Sequence, residues 1–413
     1  MTLLSPLVAF RKPVYLDYAA TTPVAPPVAA KMAEYLTLEG NFANPASRSH
    51  MLGWQAEEAV EHARGQVAAL IGADPREIVW TSGATEANNL ALKGAAETYH
   101  LQHLASGRKK KGHIIVSAIE HKAVLDPATW LEEQGFSVTR LQPNPDGIIT
   151  PENLQAALRD DTFLVSIMQV NNELGSINDI KALSTICKIR GVLIHCDAAQ
   201  SVGKIAVNVN DLHVDLLSLS AHKFYGPKGI GALYVRRAAD VKIAAQIHGG
   251  GHERNMRSGT LATHQCVGIG EAAELAQNNL ASDTERTIQL RELLWQGIAD
   301  LPNVKRNSSI QQNVSGILNV AFASSKNHER DKIQGCDGEM LLLTLRDIAV
   351  STGSACNSAS MSPSYVLKAI GLSDAEAQAS LRFSVGRYTT REEIEFTIEY
   401  IRTTVTKLLL AHS

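Results

Sequence analysis

Three reactive types of side chain stand together in one short segment of the chain. Ser220, His222 and Lys223 form the sequence Ser-Ala-His-Lys, which combines a hydroxyl, an imidazole and an amine. The apolar run before them, 214–219, predicts a buried strand because it is short, rich in leucine and followed by a Gly/Pro loop. An amine at the end of a buried strand can have its pKa lowered and become nucleophilic. Lys223 is therefore a candidate reactive amine; the alternative is a solvated residue after a strand.

A second reactive group lies far along the chain, in the segment 350–363. Small and polar residues surround Cys356 there and offer little to bury its thiol. An accessible thiol near a base or a positive charge can act as a nucleophile, although a partly buried structural cysteine is the alternative. Cys336 is also expected to be exposed. The other three cysteines fall in predicted helices or an apolar strand and are expected to be structural: Cys187, Cys196 and Cys266.

Arg382 is a charged residue inside a pattern that otherwise predicts a strand, 381–384. A partly buried arginine needs a carboxylate partner. A substrate carboxylate held by both arms of the guanidinium group fits this requirement.

The elements that would position these groups alternate between strands and helices. Predicted strands cover 113–118, 137–142, 163–170 and 191–196, and the helices between them cover 121–134, 151–158 and 179–190. This alternation predicts an α/β fold with a mostly parallel sheet, whose ligands bind beyond the carboxyl ends of the strands. Eight polar residues fall at such ends: Thr85, His121, Asn172, Asp197, Gln200, Ser220, His222 and Lys223.

Two loops are candidate anion sites. The segment 78–90 reads as a strand, a Ser/Gly/Thr loop and a helix, whose first amides and the Thr85 hydroxyl can bind a phosphate. The alternative is an ordinary helix start with Glu86 in the first turn. The glycine-rich loop 248–260 is a second contributor, through Arg257, Ser258 and Thr260.

The remaining elements lie on either side of this alternating region. Helices are expected over 26–38 and 54–71, and a long helix over 261–300 leads to a smaller α+β unit from about residue 304. That unit has few and short strands, over 317–323, 349–351 and 381–384.

Composition excludes several classes of protein. The 413 residues carry 39 basic and 42 acidic side chains, a net charge of −3, so nothing points to nucleic acid or an anionic membrane. No apolar run approaches the roughly 18 residues of a membrane span, and the first residues do not read as a signal peptide. Five scattered cysteines form neither a disulfide framework nor a zinc motif, which favours a cytoplasmic protein.

These motifs together resemble the cysteine desulfurases of the aminotransferase class V family of pyridoxal-phosphate (PLP) enzymes. The resemblance runs from Tyr15 to Thr390, and the loop around Cys356 resembles the long-loop branch, which serves iron–sulfur cluster assembly. The segments that carry it are 15–22, 44–50, 81–86, 120–121, 170–175, 197–203, 220–223, 249–254, 257–260, 354–360 and 382–390.

The resemblance implies fold type I, with a large domain and a smaller one. The large PLP-binding domain is expected to span residues 16–270 around a mostly parallel sheet of the seven-stranded type. Residues 1–15 and 271–413 are expected to form the small α+β domain, which carries the catalytic cysteine loop.

The resemblance also implies roles around the cofactor. Lys223 forms a Schiff base with PLP and moves the substrate α-proton, Asp197 pairs with the pyridine nitrogen, and His121 stacks on the ring as a further catalytic residue. Gln200 and Asn172 bond near the ring oxygen and the substrate. The phosphate is held by Ala84, Thr85, Ser220 and His222, and by Thr260 of a second subunit, so that the site requires a homodimer.

For the substrate, L-cysteine, the resemblance implies that Asn44 and Arg382 hold the carboxylate. Cys356 attacks the substrate sulfur and leaves alanine and an enzyme persulfide, which passes its sulfur to an iron–sulfur scaffold or another acceptor protein, with tRNA thiolation as a further destination. Whether Cys356 also serves as a transient iron–sulfur ligand shared with the scaffold is left open.

Two departures from the family pattern and two alternative functions accompany this prediction. Asn357 replaces the usual threonine, and the sequence ends at Ser413, where scaffold-dedicated members continue, so scaffold docking is less certain than desulfuration. The alternatives are a selenocysteine lyase and a catalytically silent partner protein. Lys223, Asp197 and Cys356 argue against the silent protein.

Overall fold

The computed structural model describes residues 12–105, 107, 111–238, 240–322, 341, 344–352 and 363–411. The strands in this part are β1 (Val14–Tyr15), β2 (Ile78–Thr81), β3 (His113–Ser117), β4 (Ser137–Leu141), β5 (Thr162–Ser166), β6 (Leu193–Asp197), β7 (Leu216–Ser220), β8 (Gly231–Val235), β9 (Lys305–Arg306), β10 (Ile317–Ala321), β11 (Ile348–Ala349) and β12 (Ser380–Ser384). The helices are α1 (Pro26–Ala33), α2 (Met51–Ile71), α3 (Ala84–Ala105), α4 (Lys122–Glu133), α5 (Pro151–Ala157), α6 (Ile180–Ile189), α7 (Val209–Leu212), α8 (Thr263–Ile298), α9 (Tyr365–Ala369), α10 (Asp374–Gln378) and α11 (Arg391–Ala411).

A seven-stranded sheet organises the part of the chain that carries most candidate site residues. Its strand order is β2-β8-β7-β6-β5-β3-β4. The strands from β4 to β7 pair in parallel, and β8 runs antiparallel to both of its neighbours, β7 and β2. Six of the seven strands therefore point the same way, which confirms the predicted α/β fold with a mostly parallel sheet.

Helices cover both faces of this sheet because its strands are apolar on both sides. In β3, Ile115 packs into one core cluster with α2, α6 and α8. Its neighbours Ile114 and Val116 point the other way, into a second cluster with α3 and α4. Apolar residues on both faces are typical of a parallel strand that lies between two layers of helices.

Two helix boundaries near the N-terminus differ from prediction for local reasons. The His50 ring accepts a hydrogen bond from Gly53 N at 3.1 Å, so α2 begins at Met51, earlier than predicted. Helix α1 ends at Ala33, well before residue 38. The chain then doubles back, and Asn41 N donates to Glu34 O at 2.9 Å. Gly40 permits this return, because a Cβ there would lie 2.1 Å from the same carbonyl oxygen.

The later part of the chain forms a second sheet, antiparallel and in the order β12-β10-β9. Its core cluster includes Leu318, Phe383 and residues of α8 and α11. β1 pairs in parallel with β11. Helix α8 contacts α1 and α2 as well as α11, and the predicted domain boundary before residue 271 falls inside it. The division into two domains stays a prediction.

None of the helices in the described part of the chain combines the length and the apolar composition needed to cross a membrane.

Candidate active site

A cavity of about 470 Å³ lies at the edge where the parallel strands end. Open parallel sheets bind their ligands at this edge. The residues lining it include ten of the predicted site residues: Ala84, Thr85, His121, Asn172, Asp197, Gln200, Ser220, His222, Lys223 and Arg382.

Three predicted residues are not among those that line the cavity. Asn44 is exposed on its loop, where its side-chain oxygen accepts a hydrogen bond from Ala46 N at 2.9 Å. Thr260 is also exposed. Cys356 lies outside the described residues, as does Cys336.

Lys223 ends a single turn of 3-10 helix, Ala221–Lys223, that follows β7 directly. Its Nζ donates to Ala19 O at 2.7 Å and to Ala20 O at 2.8 Å. These carbonyl groups belong to the segment after β1, so the N-terminal part of the chain forms one wall of the cavity. The buried strand that the sequence predicted thus holds the amine where two carbonyl oxygens fix its position.

Burial and nearby cations keep the His222 ring neutral. Burial, together with the neighbouring cations Lys223, Lys228 and Lys204, lowers the pKa of His222 to about 4. One ring nitrogen, Nδ1, lies 3.1 Å from Thr21 Oγ1. A neutral imidazole can donate one hydrogen bond to an anion without adding positive charge.

The start of α3 forms the other end of the cavity. Ser82, Gly83, Ala84 and Thr85 line it where β2 turns into this 22-residue helix. The first amides of a helix have no partner within the helix and attract anions. Glu86 Oε2 accepts from Ser82 N at 2.7 Å, so the ordinary helix start considered as the alternative is present as well. Both features coexist, since Ser82 N is the one amide of this turn that Glu86 is seen to accept from, and its other contact is with Arg257 Nε at 2.8 Å.

Asp197 ends β6 and is fixed by two hydrogen bonds. Its Oδ2 accepts from Asn88 Nδ2 at 2.7 Å, and its Oδ1 accepts from Ala199 N at 2.9 Å. The side chain is 4% exposed, yet it lines the cavity. Sequence reasoning missed Asn88, although its position three residues after Thr85, on the same side of α3, was an available signal.

Burial shifts the pKa of two titratable groups near Asp197. Burial raises the pKa of Glu120 well above its usual range, and the nearby Asp197 raises it further. Burial lowers the pKa of His195 to about 4. The two His195 ring nitrogens lie 2.8 Å and 2.9 Å from the hydroxyl groups of Ser166 and Ser218. Burial therefore disfavours the charged form of both side chains.

His121 is held at the start of α4, where it caps the helix. Its Nδ1 accepts from Ala123 N at 3.1 Å. In the neutral ring the proton must then be on Nε2, which makes that nitrogen the donor. The cap fixes the orientation of a ring that also lines the cavity.

Arg382 is 2% exposed and has a carboxylate partner within the chain. Its guanidinium group donates to Asp17 Oδ1 at 2.7 Å and to Asn172 O at 2.8 Å. The predicted need for a carboxylate is thus met by Asp17, a residue that sequence reasoning missed because it lies in a distant part of the chain. Glu173 lines the cavity as well, and burial raises its pKa.

The arrangement suits a ligand with an anionic group at one end and a basic ring nitrogen at the other. The start of α3 favours the anion, and Asp197 can pair with the nitrogen, while Lys223 can react with a carbonyl carbon between them. Asn172 Oδ1 is buried at this cavity without a hydrogen-bond partner among the described residues. The described part of the chain has no cluster of three or more histidine, cysteine or acidic side chains able to hold a metal ion.

The chain is similar to known proteins in both sequence and structure. The family model described as aminotransferase class-V matches residues 14–396. Cysteine desulfurase IscS of Cronobacter sakazakii is 56% identical over 396 residues, which cover 96% of this chain and 93% of that protein. A solved structure described as a NifS-like protein has a TM-score of 0.85 and 34% identity, covering 96% of this chain and 100% of that one. The structure of SspA in complex with cysteine has a TM-score of 0.77 and 40% identity, with coverage of 91% and 100%.

Proposed function

The chain belongs to the aminotransferase class-V family, and we propose that it removes sulfur from L-cysteine with Lys223 and Cys356 as its two reactive groups. It is a cysteine desulfurase that depends on PLP, as its similarity to cysteine desulfurase IscS over nearly the whole chain supports. The observation that carries this conclusion is the meeting of Lys223, Asp197 and the first turn of α3 in one cavity.

The residues of the cavity fit PLP. The start of α3, with Ser220 and His222, would hold the phosphate, and the Asp197 carboxylate would accept a hydrogen bond from the protonated ring nitrogen. The unpartnered Asn172 Oδ1 and the amide of Gln200 would lie toward the ring oxygen and the substrate. When bound, PLP withdraws electrons from the α-carbon of an amino acid, which makes neighbouring bonds labile.

The other polar residues of the cavity would bind the substrate and move protons. Arg382 carries the positive charge for the substrate carboxylate, with Asp17 and the Asn172 carbonyl holding the guanidinium group in place. Asn44 is the second proposed carboxylate ligand. His121 presents an Nε2 proton donor, and Lys223 would hold the α-proton on its amine.

Cys356 would complete the reaction as the sulfur acceptor. Its thiolate attacks the sulfur of the bound substrate, the carbon–sulfur bond breaks, and the carbon takes a proton, so that L-cysteine and the thiol give alanine and a persulfide. One residue on each side of Cys356 in the sequence contacts a residue that lines the cavity. Ser351 O accepts from Arg382 N at 2.6 Å, and Ser364 Oγ donates to Glu173 Oε2 at 2.5 Å. These contacts place residues 351 and 364, which flank Cys356 in the sequence, at the cavity, and this supports Cys356 as the sulfur acceptor.

The direct test of this function uses the purified protein with L-cysteine and a thiol reductant. We expect alanine and sulfide to accumulate in equal amounts, since the reductant releases the persulfide sulfur. A failure to form alanine, or the formation of pyruvate in its place, would contradict the proposal. Activity with L-selenocysteine alone would favour the selenocysteine lyase.

We propose that the persulfide sulfur serves iron–sulfur cluster assembly in the cytoplasm, through a scaffold protein or another acceptor. tRNA thiolation is a further destination. Transient ligation of a nascent cluster by Cys356 belongs to the same proposal.

A homodimer is the proposed working unit. An exposed apolar patch supports this: Leu36, Leu38, Phe42, Met51, Leu52 and Trp54. The patch comes from two segments, 36–42 and 51–54. A hydrogen bond joins them, in which Asn41 Nδ2 donates to Leu52 O at 3.0 Å. Apolar patches of this kind mark protein–protein contacts. Thr260, exposed and absent from the lining of its own cavity, would reach the phosphate of the second subunit.

Complementation between two inactive variants tests the role of Thr260 across the interface. Thr260→Asp places a negative charge beside the phosphate, and Lys223→Ala removes the amine, so each variant alone should be inactive. Coexpressed subunits should regain about a quarter of the wild-type activity, because half of randomly paired dimers are mixed and each has one complete site. If mixing restores nothing, Thr260 does not act in the second subunit.

A further inference from the structure

Lys204 lies behind the cavity wall, where it contacts Gln200. Its Nζ donates to Gln200 Oε1. The other end of the same amide, Gln200 Nε2, donates to Ala19 O at 2.7 Å, and Lys223 Nζ donates to this same oxygen at 2.7 Å. Hydrogen bonds therefore connect Lys204 to the reactive lysine through one side-chain amide and one backbone carbonyl.

Lys204 itself does not line the cavity of about 470 Å³, whereas Gln200 and Lys223 do. Lys204 borders instead a small cavity of about 40 Å³ on the other side of Lys223, together with Tyr18, Tyr225 and Asp283. Lys204 therefore makes no contact of its own with a ligand in the larger cavity, and any effect through contacts must pass through a neighbouring group.

The contacts of Gln200 leave its amide only one favourable orientation. A lysine ammonium group is a donor only, and a backbone carbonyl is an acceptor only. Rotating the amide by half a turn would turn its NH₂ group toward the Lys204 ammonium and its oxygen toward Ala19 O. Both new contacts would be repulsive while Lys204 is protonated, so the protonated Lys204 favours the orientation in which the nitrogen end lies on the side of Lys223.

The surroundings of Lys204 disfavour the positive charge with which it donates to Gln200. Burial lowers the pKa of Lys204 well below its usual range, and the cations Lys223 and Arg382 lower it further. Asp283, the carboxylate at the small cavity, is already paired with Arg387 at 2.7 Å. The carbonyl oxygen of Gln200 is thus a principal acceptor for the Lys204 amine.

We propose that Lys204 is a positioning residue that locks the Gln200 amide with its nitrogen toward the cofactor site. The second hydrogen of Gln200 Nε2 is then the donor offered to the ring oxygen of the cofactor. This inference rests on the proposed function, because it requires PLP in the cavity, and it assigns no contact between Lys204 and the cofactor.

The test compares cofactor retention and the pH midpoint of the lysine-bound cofactor absorbance in purified holoenzymes. Lys204→Met, which keeps the length of the side chain and removes the donor, should weaken PLP retention about 10-fold, the effect of one hydrogen bond. It should also raise the pH midpoint, because a donor to the ring oxygen is lost. Lys204→Arg should restore most of both properties, and Lys181→Met, at an exposed lysine, should change neither.

The decisive comparison uses Gln200→Ala as a second background. If Lys204 acts through Gln200, Lys204→Met should add no further loss of PLP in the Gln200→Ala protein. An equal loss in both backgrounds, or a Lys204→Met protein identical to wild type, would overturn the inference. A wild-type protein without lysine-bound cofactor absorbance would instead overturn the proposed function, so the two failures are distinguishable.

Discussion

Cys356→Ser is expected to reduce alanine formation from L-cysteine about 1000-fold or more and to leave the absorbance of lysine-bound cofactor in place. A serine hydroxyl is a far weaker nucleophile than a thiolate and cannot form a persulfide. The groups proposed to hold the cofactor lie at the start of α3 and at the ends of β6 and β7, so its binding should not depend on Cys356. Alanine and sulfide release, together with the visible spectrum, measure the two effects separately.

The other cysteines provide matched controls for this variant. The three cysteines of the described residues are buried, which agrees with the structural role that the sequence predicted for them. Burial raises the pKa of Cys187 and of Cys266 to about 12, so neither is a thiolate at neutral pH. Cys336→Ser is the most informative control, because Cys336 was also predicted to be exposed. Full activity of the Cys356→Ser protein, with loss in Cys336→Ser, would reassign the nucleophile.

Lys223→Ala is expected to abolish the lysine-bound absorbance and to lower alanine formation by about 1000-fold or more, since both the covalent link and the proton carrier are lost. Borohydride reduction offers a direct readout. In the wild-type protein it should fix the cofactor on the peptide that contains Lys223, and in the variant it should fix none.

Two further variants test whether the loss in Lys223→Ala comes from misfolding and whether another lysine binds the cofactor. Lys223→Arg retains the charge beside Ala19 O and Ala20 O and should fold, yet it lacks a reactive amine. Lys228 lines the same cavity, so Lys228→Ala should retain the lysine-bound cofactor. Recovery of the cofactor on a Lys228 peptide would contradict the assignment of Lys223.

The common edge of the sheet could be predicted from the sequence, because each short apolar run is followed by polar, Gly or Pro residues that end the strand. Asp197 ends one buried strand and Lys223 follows another, both predicted to within a few residues, and parallel pairing brings those ends together. Their roles came from the resemblance to a known family, since strand periodicity alone does not distinguish a cofactor site from a set of helix caps.

Contacts between distant segments could not be predicted in the same way. Asp17 reaches Arg382 through the pairing of β1 with β11 and a bridge between Asp17 and Ser384, which no local pattern encodes. Gln200 and Lys204 are only four residues apart, but their contact bears on the site through Ala19, which the fold brings from the N-terminus. The raised pKa of Glu120 arises from complete burial, a property of the assembled core.

The most direct measurement of the central claim is peptide mass analysis after one turnover without reductant or sulfur acceptor. We predict about one alanine per subunit and a mass increase of one sulfur atom on the Cys356 peptide, which reductant then removes. Alanine formation with the extra sulfur on another cysteine, or with no persulfide on the protein, would contradict a reaction divided between Lys223 and Cys356.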